Sequence, residues 1–108
     1  MKFVDLIGYL LNPERLEGLY VSQGIELDAE AYLIYMYEFI DINSPIKIFT
    51  FEETDDDLIY VKNGVKYFEL FEVNHTIDLL NHDLELAGKG FSNAQIAERL
   101  MEYKKNDA

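Results

Sequence analysis

Apolar residues recur at helical spacing along the first part of the chain. In residues 2–11 they fall three or four positions apart, which predicts a helix with one apolar face. The members of that stripe are Phe3, Leu6, Ile7, Leu10 and Leu11. Asn12 and Pro13 then predict a break and a new helix, because asparagine suits a helix cap and proline suits the first helical position. We expect this second helix to run from residue 13 to about residue 23 and to end at Gly24.

The pattern changes at residues 31–40, which are almost continuously apolar. Periodicity does not distinguish a buried helix from a buried strand in such a run. Its tyrosines and isoleucines favour a strand. Asp28 as a cap, Glu30 in the first turn and the alanine, leucine and methionine content favour a helix. We interpret the run as a helix, so that N-terminal helices occupy about residues 2–40, and we expect the Asn-Ser-Pro sequence at 43–45 to end it.

An alternation of side chains between two faces begins at residue 46 and predicts a strand over residues 46–52. The clearest local signal is Asn63-Gly64, which lies between two runs of strand-forming residues. It predicts a two-residue hairpin, since both turn positions need a positive φ angle. Three strands therefore follow one another along about residues 46–71, and their simplest arrangement is an antiparallel meander.

Two helices are predicted after the strands, over about residues 75–87 and 93–105. Apolar residues at helical spacing indicate the first. Ser92 and Gln95 indicate the start of the second, because they can form a capping box. Residues 106–108 form a tail. The predicted fold class is α+β, with a small three-stranded antiparallel meander packed against the N-terminal helices and the two C-terminal helices.

Composition adds a strong charge bias to this picture. The length of 108 residues predicts one domain, 1–108. The net charge is −12, and residues 25–57 carry most of it, with ten acidic side chains and one lysine. Such a surface repels nucleic acid and anionic membranes and attracts basic proteins, although solubility alone also explains it. Cysteine is absent and no apolar run is long enough to span a bilayer, which predicts a cytoplasmic protein without disulfides.

Two stretches could carry metal chemistry. The first is a set of histidines and carboxylates that would share one face of a continuous helix, namely His75, Asp78, His82 and Glu85. The two histidines would lie about 10 Å apart along that helix, too far for one ion, and polar residues are expected opposite an apolar stripe. The second stretch, residues 52–57, lacks the glycine and glutamate positions of an EF-hand loop. We therefore predict no metal site, no other cofactor and no catalytic residue.

Acidic and tyrosine side chains concentrate in and beside residues 25–57. Tyrosine buries a large area and keeps a polar tip, which makes it a frequent interface residue. Acidic side chains speed the approach of a basic partner. We therefore predict a partner-binding face formed by Glu30, Tyr35, Tyr37, Asp41, Glu52, Glu53, Asp55, Asp56, Asp57 and Tyr60.

These features are similar in kind to those of bacterial immunity proteins, which are small, acidic and intracellular. They predict a non-enzymatic protein that neutralises a basic protein, most concretely an inhibitor that masks the cationic active site of a nuclease-type toxin. A nuclease cleft is basic because it must attract phosphate, so a competing inhibitor needs an acidic face. The alternatives are a nucleic-acid mimic that blocks a DNA-binding protein, a small metal-dependent enzyme or regulator that uses the histidine-containing face, and an oligomeric adaptor.

Overall fold

The computed structural model describes residues 1–106, which form an α+β fold with a four-stranded antiparallel sheet and helices. The α+β class is thus confirmed, whereas the predicted number of strands is wrong by one. Of the predicted tail, Asn106 is the last residue of the final helix. Asp107 and Ala108 lie outside the described residues.

The N-terminal region contains helix α1 (Phe3–Leu11), a 3-10 turn (Pro13–Arg15) and helix α2 (Leu16–Ser22). The predicted break at Asn12 is confirmed, but its side chain does not cap the following helix. Its Nδ2 instead donates a 3.0 Å hydrogen bond to the carbonyl oxygen of Gly8, at the end of α1. Gly24 follows α2 with a φ of 69°, a conformation that favours glycine just after a helix.

The sheet consists of β1 (Tyr32–Tyr37), β2 (Ile46–Thr50), β3 (Ile59–Lys62) and β4 (Val65–Glu72), in the order β2-β1-β4-β3. The predicted meander is therefore wrong, because β2 and β3 are the two edge strands and do not pair. The hairpin between β3 and β4 is confirmed. Asn63 and Gly64 form its turn with φ angles of 53° and 78°.

The helix predicted over residues 31–40 is also wrong, since most of this run is β1, one of the two central strands. It pairs with β2 on one side and β4 on the other, and four successive residues are buried. Burial on both faces removes the alternation that marks a strand in the sequence. The preference of tyrosine and isoleucine for strands therefore decides the structure. Asp28 and Glu30 lie in the loop before β1 and begin no helix.

Two short helices follow the strands. They are α3 (Phe51–Thr54), after β2, and α4 (Val73–Asp78), after β4. A π-helical turn, Leu79–Asp83, continues α4. The helix predicted over residues 75–87 thus begins earlier and ends earlier than expected. Its start is set by Glu72, whose carboxylate accepts main-chain hydrogen bonds from the first turn.

The last helix, α5 (Asn93–Asn106), agrees with the predicted range of 93–105. Its capping box is present. The main-chain nitrogen of Ser92 donates to Gln95 Oε1 at 2.8 Å, and the Gln95 nitrogen donates to Ser92 Oγ at 3.1 Å. Two of the first-turn main-chain groups that a helix leaves unpaired are thereby satisfied.

The sheet separates two apolar clusters. The larger one lies between the sheet and the helices and includes Ile34, Met36 and Ile48 from the strands. The opposite side of the sheet, which we call the outer face, carries a smaller cluster formed by Leu33, Tyr35 and Phe49, with Tyr60 and Tyr67 packed against it. Residues 52–57, which include five acidic side chains, lie over the outer face.

Candidate functional site

Residues 52–57, which we call the acidic segment, connect the two edge strands of the sheet. The segment begins in α3, directly after β2, and leads to β3. Because β2 and β3 lie at opposite edges, the segment crosses the sheet instead of making a hairpin. Its hydrogen bonds with Tyr35 and Tyr60 show that it crosses the outer face.

The acidic segment lies over a cluster of aromatic rings. The ring centroid of Phe49, on β2, is 5.1 Å from that of Tyr60, on β3, and 5.0 Å from that of Tyr67, on β4. Edge strands of a flat four-stranded sheet would lie about 14 Å apart. The Phe49–Tyr60 contact therefore indicates that the sheet curls toward the outer face. Tyr35 packs edge-on against Phe49 at 5.5 Å and is fully buried.

Hydrogen bonds hold the main chain of the segment in place. The hydroxyl of Tyr35 donates to the carbonyl oxygen of Asp57 at 2.6 Å. Burial raises the pKa of Tyr35 to about 12, so the hydroxyl keeps its proton at neutral pH. Thr54 is buried, and its Oγ1 accepts a 3.2 Å hydrogen bond from the nitrogen of Asp56. The segment is therefore a folded part of the protein with a defined geometry.

Asp55 and Asp56 both adopt the left-handed backbone conformation, with φ angles of 54° and 56°. This region is unfavourable for most side chains, and aspartate and asparagine are among the non-glycine residues that enter it most readily. Two of the acids thus have a conformational reason to be present in addition to their charge. Asparagine would meet the backbone requirement without the charge, so Asp→Asn substitutions separate the two roles.

Glu53 differs from the other acids of the segment because it is neutralised within the molecule. Its Oε2 lies 2.8 Å from Lys62 Nζ and accepts a 2.9 Å hydrogen bond from the hydroxyl of Tyr60. Burial alone would raise the pKa of Glu53, but the hydrogen bonds from Lys62 and Tyr60 outweigh burial and lower it. Glu52 points to the loop before β1, where its Oε2 accepts a 3.0 Å hydrogen bond from the nitrogen of Glu30.

Most other acidic side chains have no cation beside them. Within residues 1–106 the ion pairs are Glu53 with Lys62 and Glu85 with Lys89. The three aspartates at 55–57 are all exposed. Their charges therefore act outward on the surroundings of the protein, with little internal compensation.

A half-buried acid lies beneath the segment. Glu69, on β4, is opposite Tyr35 of β1 in the sheet, and the charges of Asp56 in the segment and of Lys104 on α5 act on its carboxyl group. Its Oε2 is buried, and no described residue provides it with a hydrogen-bond partner. Burial is the main cause that raises the pKa of Glu69 to about 7. The neighbouring Asp56 carboxyl raises it further, whereas Lys104 and Tyr35 oppose the shift.

The other predicted face residues are distributed along β1 and its flanking loops. Tyr35 is buried and so positions the segment without offering contact area. Tyr37 is 37% exposed, and its ring lies 5.9 Å from that of Tyr67. Asp41 follows β1 whereas Glu30 precedes it, and a six-residue strand spans about 20 Å. Glu30 therefore belongs with the acidic segment, and Asp41 lies at the other end of the sheet.

The histidine-containing face is not formed. His75 and Asp78 belong to α4, whereas His82 lies in the π-helical turn. Glu85 follows that turn with a φ of 49°. Within residues 1–106 no three histidine, aspartate or glutamate side chains are grouped as a metal ion requires. Glu72, three residues before His75, has a capping role, since its Oε1 accepts a 3.3 Å hydrogen bond from the nitrogen of His75.

Three residues that matter at this site are not singled out by the sequence pattern. Glu69 lies between the apolar residues Phe68 and Leu70 of β4, and alternation puts it on the same face as Tyr67, which is a usable signal. Ile59 and Val61 are exposed, although alternation makes them look like core residues. Their exposure follows from the position of β3 at the edge, which depends on the strand order.

Within the described part of the chain no helix has the length and apolar character needed to cross a membrane. Comparisons with known proteins found no matching family model, no matching curated protein and no matching solved structure. The function is therefore inferred from the chemistry of the site.

Proposed function

We propose that the protein is a non-enzymatic binding protein that neutralises a basic partner protein. In its most concrete form it is an intracellular immunity or inhibitor protein that masks the cationic active site of a nuclease-type toxin. The acidic segment forms the centre of the binding face, and Glu30, Tyr60 and the loop before β1 extend it.

The observation that carries the proposal is that the exposed acidic segment has a fixed main chain. Asp55, Asp56 and Asp57 project from a backbone that Tyr35 and Thr54 hold by hydrogen bonds. Charges held in this way lose little conformational entropy on binding, and this raises affinity. Solubility requires charge on the surface but no fixed geometry. The anchoring of the segment therefore favours a binding role.

A cavity next to α3 offers a place for a cationic side chain of the partner. The cavity has a volume of about 470 Å³, and its ionisable lining residues are Glu26, Lys47, Glu52, Glu53 and Lys62. Lys62 is already paired with Glu53, and the two remaining carboxylates, Glu26 and Glu52, outnumber the remaining lysine, Lys47. Arginine and lysine line phosphate-attracting active sites, and both form strong charge-assisted hydrogen bonds with carboxylates.

The test uses the full-length protein as bait in an extract of its source organism. The segment variant carries Asp55→Asn, Asp56→Asn and Asp57→Asn, which keep the left-handed backbone. The control variant carries Asp78→Asn, Asp83→Asn and Glu98→Gln, which remove the same charge from exposed positions elsewhere. The captured protein is identified by mass spectrometry, and its association rate with each bait is measured at low and high salt.

A basic captured protein should associate about tenfold more slowly with the segment variant at low salt, and this difference should shrink as salt rises. The association rate of the control variant should stay within about threefold of the wild-type rate, because the charges that it lacks lie away from the face. A captured partner that is not basic would refute the proposal. Equal slowing by the two variants would show that overall charge matters and the acidic segment does not.

A further inference from the structure

Strand β3 is an open edge of the sheet beside the acidic segment. It begins at Ile59, two residues after Asp57, and among the described strands it pairs with β4 alone. In a hairpin with a two-residue turn, the two residues that flank the turn form a hydrogen-bonded pair. Along the strands, hydrogen-bonded pairs then alternate with non-hydrogen-bonded pairs. Tyr60 and Lys62 therefore bond to β4. The main-chain N–H and C=O groups of Ile59 and Val61 point away from the sheet.

The side chains of this edge are unusually apolar for an exposed strand. The exposed fractions of Leu58, Ile59 and Val61 are 72%, 51% and 55%. Natural sheets protect such edges with charged side chains, proline, bulges or a covering element. The charged residue of β3, Lys62, is directed to Glu53 on the outer face. The register between β3 and β4 is continuous, so no bulge distorts the edge.

We propose that β3 accepts an extended segment of the basic partner as a fifth strand of the sheet. This inference rests on the proposed function, since it names the chemistry by which that partner binds. Side chains alternate along an added strand, so one set would meet Ile59 and Val61 and the other would meet Tyr60 beside the acidic segment. The matching partner segment alternates apolar residues with lysine or arginine.

Charge complementarity favours this occupant over a second copy of the chain. Pairing two copies through β3 would bring together two molecules that each carry a net charge of −12, each with three aspartates next to the edge. Like charges in contact reduce affinity and slow association. A basic strand gains attraction at the same place, and its apolar side chains remove Ile59 and Val61 from water.

The probe is a capped peptide in which lysine and valine alternate. A block peptide of the same composition, with all lysines before all valines, has the same charge but cannot present two different faces. Each is titrated into the full-length protein while amide NMR signals and hydrogen exchange are recorded. The alternating peptide should protect the amides of Ile59 and Val61 from exchange and should bind about tenfold more tightly than the block peptide.

Val61→Pro is the variant that tests strand addition directly. It removes an outward-pointing N–H without removing a hydrogen bond to β4, as proline on a sheet edge does. It should weaken binding of the alternating peptide about tenfold. Val61→Thr is the matched control for the lost N–H, because it keeps that group and a strand-forming side chain, and it should bind the alternating peptide more tightly than Val61→Pro does.

The outcomes distinguish this inference from the proposed function. If Val61→Pro binds the alternating peptide like the wild type while the segment variant does not, strand addition is overturned and the acidic face stands. If Val61→Pro loses binding and the segment variant retains it, strand addition stands without the electrostatic function. Self-association that Val61→Pro abolishes, in the absence of peptide binding, would identify a second copy as the occupant and overturn the proposal. If the Val61→Pro variant does not fold, the wild type still tests the proposal. Strand addition is overturned if the alternating peptide does not protect the amides of Ile59 and Val61 from hydrogen exchange.

Discussion

The hydroxyl of Tyr35 donates a 2.6 Å hydrogen bond to the main-chain carbonyl of Asp57, 22 residues further along the chain. This bond joins the centre of the sheet to the acidic segment. Tyr35 is fully buried, so it acts through the position it imposes on the segment and not through contact with a partner. The exposed charges of the candidate face thus depend on a residue that no partner can touch.

Tyr35→Phe tests this dependence. The variant keeps the ring in the aromatic cluster and leaves the Asp57 carbonyl without its donor. We expect the free energy of unfolding to fall by about 1–2 kcal/mol and amide exchange of residues 55–58 to become faster. Urea denaturation and hydrogen exchange measure the two effects. Tyr37→Phe, at the exposed end of the same strand, should change stability by less than about 0.5 kcal/mol. Unchanged exchange at residues 55–58 would contradict the anchoring role.

The left-handed conformation of Asp55 gives a second prediction. Asp55→Val introduces a β-branched side chain at a φ of 54° and should destabilise the protein by about 1–2 kcal/mol. Asp55→Asn removes the same charge but tolerates the conformation, so its stability should stay within about 0.5 kcal/mol of the wild type. Thermal and urea unfolding of the two variants provide the comparison. Equal stabilities of Asp55→Val and Asp55→Asn would mean that the left-handed conformation does not require an aspartate or asparagine at position 55.

Parts of the fold that depend on neighbouring residues were predictable from the sequence. The Asn63-Gly64 turn needs two residues that accept positive φ, and both adopt it. The capping box needs Ser92 and Gln95 three positions apart, and both of its hydrogen bonds are present. In each case the interaction that decides the structure lies within one turn of the chain.

Strand identity and order depend on distant contacts, and they were not predictable in the same way. The run at residues 31–40 lacks alternation because β1 is covered on both faces, a fact that only the assembled sheet provides. Composition was enough to single out the acidic segment. Its position on the outer face, however, follows from β2 and β3 occupying opposite edges. The influence of Asp56 on the pKa of Glu69 follows from the same crossing, and no local pattern contains it.

The separation of His75 from Glu85 gives a third prediction, about metal ions. Because α4 passes into a π-helical turn and Glu85 lies beyond it, the four side chains do not converge. Adding zinc or a chelator should therefore leave Tm unchanged. The double variant His75→Ala, His82→Ala shows whether any zinc response comes from these residues. If zinc raised the Tm of the wild type but not that of the double variant, the prediction would be wrong and these histidines would bind zinc.

Glu69 makes the stability of the protein depend on pH. Its pKa in the folded protein is about 7, above the ordinary value of 4.5, chiefly because of burial. A raised folded-state pKa means that the folded state binds the proton more tightly than the unfolded state does. The stabilising contribution is therefore fully present below pH 4.5 and is lost as pH rises through 7.

Glu69→Gln removes this titration and keeps a donor that can face Asp56. We expect the variant to match the wild type near pH 4.5 and to exceed its free energy of unfolding at pH 8 by about 1–2 kcal/mol, the full linkage value being reduced by solvent screening. Urea denaturation at a series of pH values measures the difference. Glu98→Gln, an exposed change of the same charge on α5, should follow the wild-type curve. A constant difference between Glu69→Gln and the wild type across this range would show that Glu69 does not titrate there. The half-buried carboxyl beneath the acidic segment would then keep a single protonation state throughout this range.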